Sequence, residues 1–141
     1  TIRLCGPVGA GQVVKLVNQL LVGVHTAAIA EAATFGAALG ADPQVLLELL
    51  GKSYGGSTMM VRHMPRFMSR DFSGATPVSL ILKDLGLIHD EAKAAGVPLL
   101  LGGLAEPRFL EARARGLGAE DMAALVKLWE EAAGVTVTRP E

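Results

Sequence analysis

With a single cysteine, Cys5, the chain cannot staple itself with an internal disulfide, and it fits a reducing compartment, the cytoplasm. Aromatic residues are scarce as well, at 4% of 141. The core must therefore come from alanine, leucine, valine and glycine, which suit closely packed helices. Neither sign of charge dominates: the formal net charge of −1 gives no electrostatic case for nucleic acid or an anionic membrane as partner. The three histidines, His25, His63 and His89, are scattered, and none has a His or Cys four residues away, so no metal set is expected. No nucleophile–base arrangement can be read. A membrane crossing is worth weighing, because the mean hydropathy is +0.40. However, the stretch 20–41 is interrupted by His25, Thr26, Glu31 and Thr34. The stretch 94–105 contains Pro98 and falls short of the ~18–20 residues a span requires. No basic segment leads into an apolar one at the start, so no signal peptide is expected. The chain opens at Thr1 in what reads as mid-strand, as a piece of a longer protein would.

What is present begins with Gly6-Pro7-Val8-Gly9-Ala10-Gly11-Gln12-Val13-Val14-Lys15-Leu16-Val17-Asn18-Gln19. Thr1–Cys5 reads as a short strand, then a glycine turn, then a helix, the opening of a dinucleotide-binding unit. The spacing, though, is G-x-x-G-x-G rather than G-x-G-x-x-G, and no second strand follows, so that fingerprint is rejected. The helix is predicted over 11–39, ~40 Å long at 1.5 Å per residue. Its periodicity puts Lys15, Asn18, Gln19, Val22 and Thr26 on one stripe. Residue chemistry alone leaves two readings open, a site built from a lysine and two carboxamides or an ordinary polar stripe at a helix start.

Five more helices are predicted. Asp42-Pro43 caps one that Gly51 ends, and Ser57 caps a short one reaching about His63. Thr76-Pro77 starts one running to about Ala95, and Val97-Pro98 opens another reaching about Arg115, with Pro107 inside it and a Glu111–Arg115 pair. Glu120-Asp121 charge the first turn of the last, which Gly134 stops. Arg62, Arg66 and Arg70 read as a wet face, with phosphate binding the alternative; the tail 135–141 reads as loosely held; Lys83 reads as half buried or at an interface, or else as a snorkelling lysine paired locally with Asp84. The chain reads as one all-α domain.

The motif 6–19, the Ala30-Glu31-Ala32 that follows, the Gly55-Gly56-Ser57-Thr58 turn and Leu82-Lys83-Asp84-Leu85 resemble the C-terminal domain of the β-hydroxyacid dehydrogenases. Within that family the likeness is to the tartronate semialdehyde reductase branch, with 3-hydroxyisobutyrate dehydrogenase next, and it covers essentially the whole chain. It implies a long interdomain helix plus a helical bundle, as in 6-phosphogluconate dehydrogenase-type enzymes. Residues 1–141 would be the substrate and dimerisation domain, without the N-terminal Rossmann domain. It also implies interconversion of a small β-hydroxyacid and its semialdehyde with NAD or NADP. In that scheme Lys15 is the catalytic proton donor and acceptor, Asn18 and Gln19 bind substrate, and Lys83 reaches the cofactor. Many relatives carry Asn where Gln19 stands. Alone, the chain is expected to bind cofactor weakly, to lack turnover, and to self-associate as a dimer or tetramer. The rival is a non-catalytic helical interaction module derived from the same family; such a copy would be expected to have lost the Lys15 stripe, which is kept.

Overall fold

The computed structural model describes residues 4–74 and 76–139. The strand expected at Thr1–Cys5 lies largely outside them, and Leu4 and Cys5 have no regular structure.

Helix α1 spans Ala10–Ala38 and is the axis on which the other elements pack. Its end is set by Gly40, at φ 79°, where glycine takes a left-handed conformation other residues resist. Gly40 N donates to Ala37 O at 3.0 Å and Ala41 N to Gly36 O at 2.9 Å, the paired bonds that close a helix on a glycine. By length and composition α1 would also suit a membrane crossing; here it is in contact with every other α-helix among the described residues.

Helix α2 spans Pro43–Leu50, with Asp42 accepting from Gln44 N at 2.8 Å. Helix α3 spans Thr58–Ser69 under the Ser57 cap, whose Oγ accepts from Met60 N at 3.1 Å. It outruns the expected end near His63 because Pro65 does not stop it; Pro65 and Val61, whose bond is lost, are both exposed, so the interruption falls on the solvent side. Helix α4 spans Val78–Ala95, starting one residue later than expected: Pro77 is its N-cap, and Thr76 O accepts from Met122 N instead. Helix α5 spans Leu100–Ala112 and continues through Pro107; a π-helical turn follows at Arg113–Leu117. A 3₁₀ turn over Met122–Leu125, capped by Asp121, runs into α6, Val126–Ala133. No strand occurs among the described residues, so the fold is all-α as expected.

Two apolar clusters share α1. The far half of the helix packs Ile29, Ala30 and Ala33 against α3 through Met60, Met64 and Phe67. The near half lays Leu16 and Leu20 against a cluster of α4, α5 and the 3₁₀ turn built on Ile81, Leu85, Phe109 and Leu125. Gly23 lets α1 and α4 meet, since a Cβ there would stand 2.9 Å from Leu85 Cδ2.

The arginines of α3 are not a wet face. Arg62 reaches 59 residues on to clasp the fully buried Asp121 with two bonds, 2.9 and 2.7 Å. Arg70 does the same to Glu130 at 2.6 and 2.8 Å, and Arg66 donates to the Ser73 carbonyl at 2.7 Å. Burial alone would raise the Asp121 carboxyl, but the Arg62 bonds and the Ala123 amide outweigh it and hold it below the usual carboxylate range. Arg62 Nη1 also donates to His63 Nδ1 at 3.2 Å, which leaves the imidazole proton on Nε2, facing Thr26 Oγ1 at 3.0 Å. Thr26 in turn donates to Val22 O. Burial, reinforced by Arg62, depresses the His63 pKa to about 4, so the ring is neutral at pH 7. The tail is held too: Val137 is buried and its N–H donates to Glu130 Oε1 at 2.8 Å, contrary to the loose tail expected.

Candidate functional site

The stripe from Lys15 to Thr26 divides. Thr26 is fully buried and belongs to the core, whereas Lys15 and Asn18 are exposed and Gln19 is half-buried. Of the polar members of this stripe, Lys15, Asn18 and Gln19, in the second and third turns of α1, are left to form a site. Leu16 and Leu20 face α4, which leaves the polar residues at the open edge between the two helices.

At that edge the side chains form a row. Asn18 Nδ2 donates to Gln19 Oε1 at 3.1 Å, and Gln19 Nε2 donates across to Asp84 Oδ2 on α4 at 2.7 Å. Lys83 Nζ sits 3.0 Å from Asp84 Oδ1. Asp84 is nearly covered, at 13% side-chain exposure, while Lys83 is 61% exposed, so its ammonium stays open to a further partner. Three of the four residues singled out from the sequence, Asn18, Gln19 and Lys83, thus come together through Asp84. Sequence reasoning had Asp84 only as the local partner of Lys83; its link to Gln19 depends on the register of α4 on α1, which carries no local signal. Lys15 lies one turn earlier on the same face and makes no hydrogen bond or ion pair with any described residue.

The row offers two ammonium groups, two carboxamides and one carboxylate, enough to bind a small anion and to move a proton at Lys15. Among the described residues no group of His, Cys, Asp or Glu could hold a metal ion. Two clefts of about 530 Å³ each lie farther along α1, one beside Glu31, Leu104 and Trp129, the other beside Phe35, Leu46 and Met64; neither includes a residue of the row.

The family model for the NAD-binding domain of NADP-dependent 3-hydroxyisobutyrate dehydrogenase matches residues 9–129. The 2-(hydroxymethyl)glutarate dehydrogenase of Eubacterium barkeri is 44% identical over 94% of this chain and 44% of its own length. The L-threonate dehydrogenase of Cupriavidus necator is 39% identical over 90% of the chain and 43% of its own. The chain thus spans less than half the length of these curated relatives. Among solved structures, 3-hydroxyisobutyrate dehydrogenase from Salmonella typhimurium matches with a TM-score of 0.81 at 38% identity, over 85% of this chain and 42% of that one. With most of its length under that model, and the same helical arrangement in a solved relative, this chain belongs to the 3-hydroxyisobutyrate dehydrogenase family of NAD-binding oxidoreductase domains.

Proposed function

We propose that this chain is the C-terminal helical domain of a cytoplasmic NAD- or NADP-dependent dehydrogenase that interconverts a small β-hydroxyacid and its semialdehyde, of the 2-hydroxy-3-oxopropionate or 3-hydroxyisobutyrate type. The observation that carries the reading is an exposed Lys15 one turn from two amides that are tied to a second helix and its lysine. The relatives' names point to the same substrate class, since L-threonate, 2-(hydroxymethyl)glutarate and 3-hydroxyisobutyrate are all carboxylates bearing a hydroxyl.

The nicotinamide, when bound, supplies or takes up the hydride at the substrate's carbonyl carbon; most of its binding belongs to an N-terminal nucleotide-binding domain. In the present chain the exposed Lys83 ammonium is the group suited to meet it. As the aldehyde is reduced, negative charge grows on its oxygen, and the Lys15 ammonium stabilises that charge and donates a proton to the same oxygen. In the oxidative direction neutral Lys15 takes the hydroxyl proton back. Asn18 and Gln19 hold substrate and lysine in line, because a carboxamide accepts from an ammonium through oxygen while donating through nitrogen. The apolar side chains Phe35, Leu39, Leu100, Leu101 and Leu104, each between 66 and 79% exposed, supply surface for self-association into a dimer or tetramer.

The test is turnover by the enzyme carrying this domain together with its nucleotide-binding domain, assayed on a panel of hydroxyacids with each cofactor. Lys15→Met is expected to abolish most of kcat while ligand binding persists; a variant with normal kcat would end the assignment. Micromolar NAD(P)H affinity measured by calorimetry on the 141-residue chain alone would contradict the division of labour between the domains.

A further inference from the structure

The row on α1 and α4 has a direction. An ionised carboxylate only accepts hydrogen bonds, so Asp84 Oδ2 requires a donor from Gln19, and Gln19 must turn its nitrogen toward α4. Its oxygen then faces back along α1 and requires a donor from Asn18, which turns Nδ2 inward. Reversing Gln19 would set oxygen against oxygen at 2.7 Å. Lys83 Nζ, 3.0 Å from the other carboxylate oxygen, satisfies the second acceptor. The polarity imposed at the covered end is passed through two amides to the exposed end. There Asn18 keeps its oxygen, and one N–H, for whatever enters beside Lys15.

We propose that Asp84 is a positioning residue that sets the hydrogen-bond polarity of the Gln19–Asn18 pair, so that the open end of the row offers Asn18 Oδ1 as an acceptor one turn from Lys15. An acceptor at that place suits the N–H of the Lys15 ammonium, or the hydroxyl of a reduced substrate. This deepens the enzymatic reading above and rests on it for its catalytic consequence. The amide orientation itself is a property of this chain alone.

The experiment therefore has two arms. In the first, the side-chain amides of Gln19 and Asn18 are followed by NMR in the 141-residue chain, with the buried His63 ring resonances as the control for an intact fold. Asp84→Ala is expected to move both amides and to speed exchange of the Gln19 amide protons by roughly tenfold, the loss of one coupled hydrogen bond. In a Gln19→Leu background Asp84→Ala should leave Asn18 unmoved, because the relay is already cut. An Asn18 amide indifferent to Asp84→Ala, or equally disturbed in both backgrounds, overturns the proposal. Should Asp84→Ala fail to fold, Asp84→Leu carries the same test, since it fills a similar volume and offers Gln19 no acceptor. In the second arm, the complete enzyme bearing Asp84→Ala is expected to lose about tenfold in kcat with substrate KM little changed, Gln19→Leu the same, and the double variant no more than either. Additive losses overturn the relay. If the amides respond as expected while Lys15→Met leaves turnover intact, the relay stands and the enzymatic reading falls.

Discussion

The two halves of α1 are built by opposite rules. From Thr26 onward one face of the helix is buried in the bundle, through Ile29, Ala30 and Ala33, and its threonines close on protein partners: Thr26 on His63 and the Val22 carbonyl, Thr34 on the Ala30 carbonyl. Before Gly23 it touches the bundle through Leu16, Leu20 and Val22. There Val13, Val14, Val17 and Leu21 are each 49 to 59% exposed. The far half is held by apolar burial and by charges clasped across long sequence separations. The near half is held by Leu16, Leu20 and Val22 and by one amide–carboxylate bond, and it holds the residues proposed above to act on substrate. If that proposal holds, substitutions in the two halves should separate into effects on stability and effects on turnover.

The largest effect is expected in the near half and in turnover. Lys15→Met should lower kcat of the complete enzyme by roughly 10²–10⁴-fold, the usual contribution of a positioned proton donor, with the melting temperature of this chain unchanged. Steady-state kinetics beside thermal melts would show the split; a drop in stability of the same variant would break it.

In the far half the order reverses. Asp121→Ala removes a fully buried carboxylate that Arg62 and the Ala123 amide hold, leaves the 29% exposed Arg62 without its partner, and should cost about 1–3 kcal/mol, measured by urea unfolding. A loss near that of an exposed pair, below ~1 kcal/mol, would mean that Arg62 escapes to water.

Acid should act on the far half as well. Above about pH 6.5 His63 is neutral whether folded or unfolded, and its contribution to stability is complete. Between 6.5 and about 4 the unfolded chain takes up a proton that the buried ring refuses, so stability falls as pH falls, by up to ~3 kcal/mol, and levels off below about 4. Urea titrations across that window, repeated on His63→Gln, should show the slope flatten in the variant.

The smallest effect sharpens the contrast. Val17→Ala, though it removes apolar bulk from the same helix, should change the stability of this chain by no more than ~0.5 kcal/mol, because that side chain is 54% exposed. A loss several times larger would show that the near half is covered after all, by a second copy of the chain.

Local chemistry made much of this legible beforehand. Asp42-Pro43, the Ser57 cap and the Glu111–Arg115 pair each act within a few residues, and each stands where the sequence put it. The Lys15–Asn18–Gln19 grouping followed from helical periodicity alone. What escaped depends on register between distant segments. Arg62 and Asp121 are 59 residues apart, and Gln19 and Asp84 are 65 apart. No spacing rule joins them until the helices are packed, so the arginines read as solvated and Asp84 as a mere neighbour. Helix α3 outruns its expected end near His63 for a different reason: a proline ordinarily marks a helix boundary, but Pro65, on the solvent side of a capped helix, is carried through.

The close approach at Gly23 makes it a fulcrum. Lys15 lies eight residues out from that contact, an arm of ~12 Å, so a swing of only ~5° would carry its backbone by ~1 Å. A displacement of that size is enough to cost an enzyme about a hundredfold in rate. The bond from Gln19 to Asp84, set partway along the arm, is the stay that keeps it from swinging.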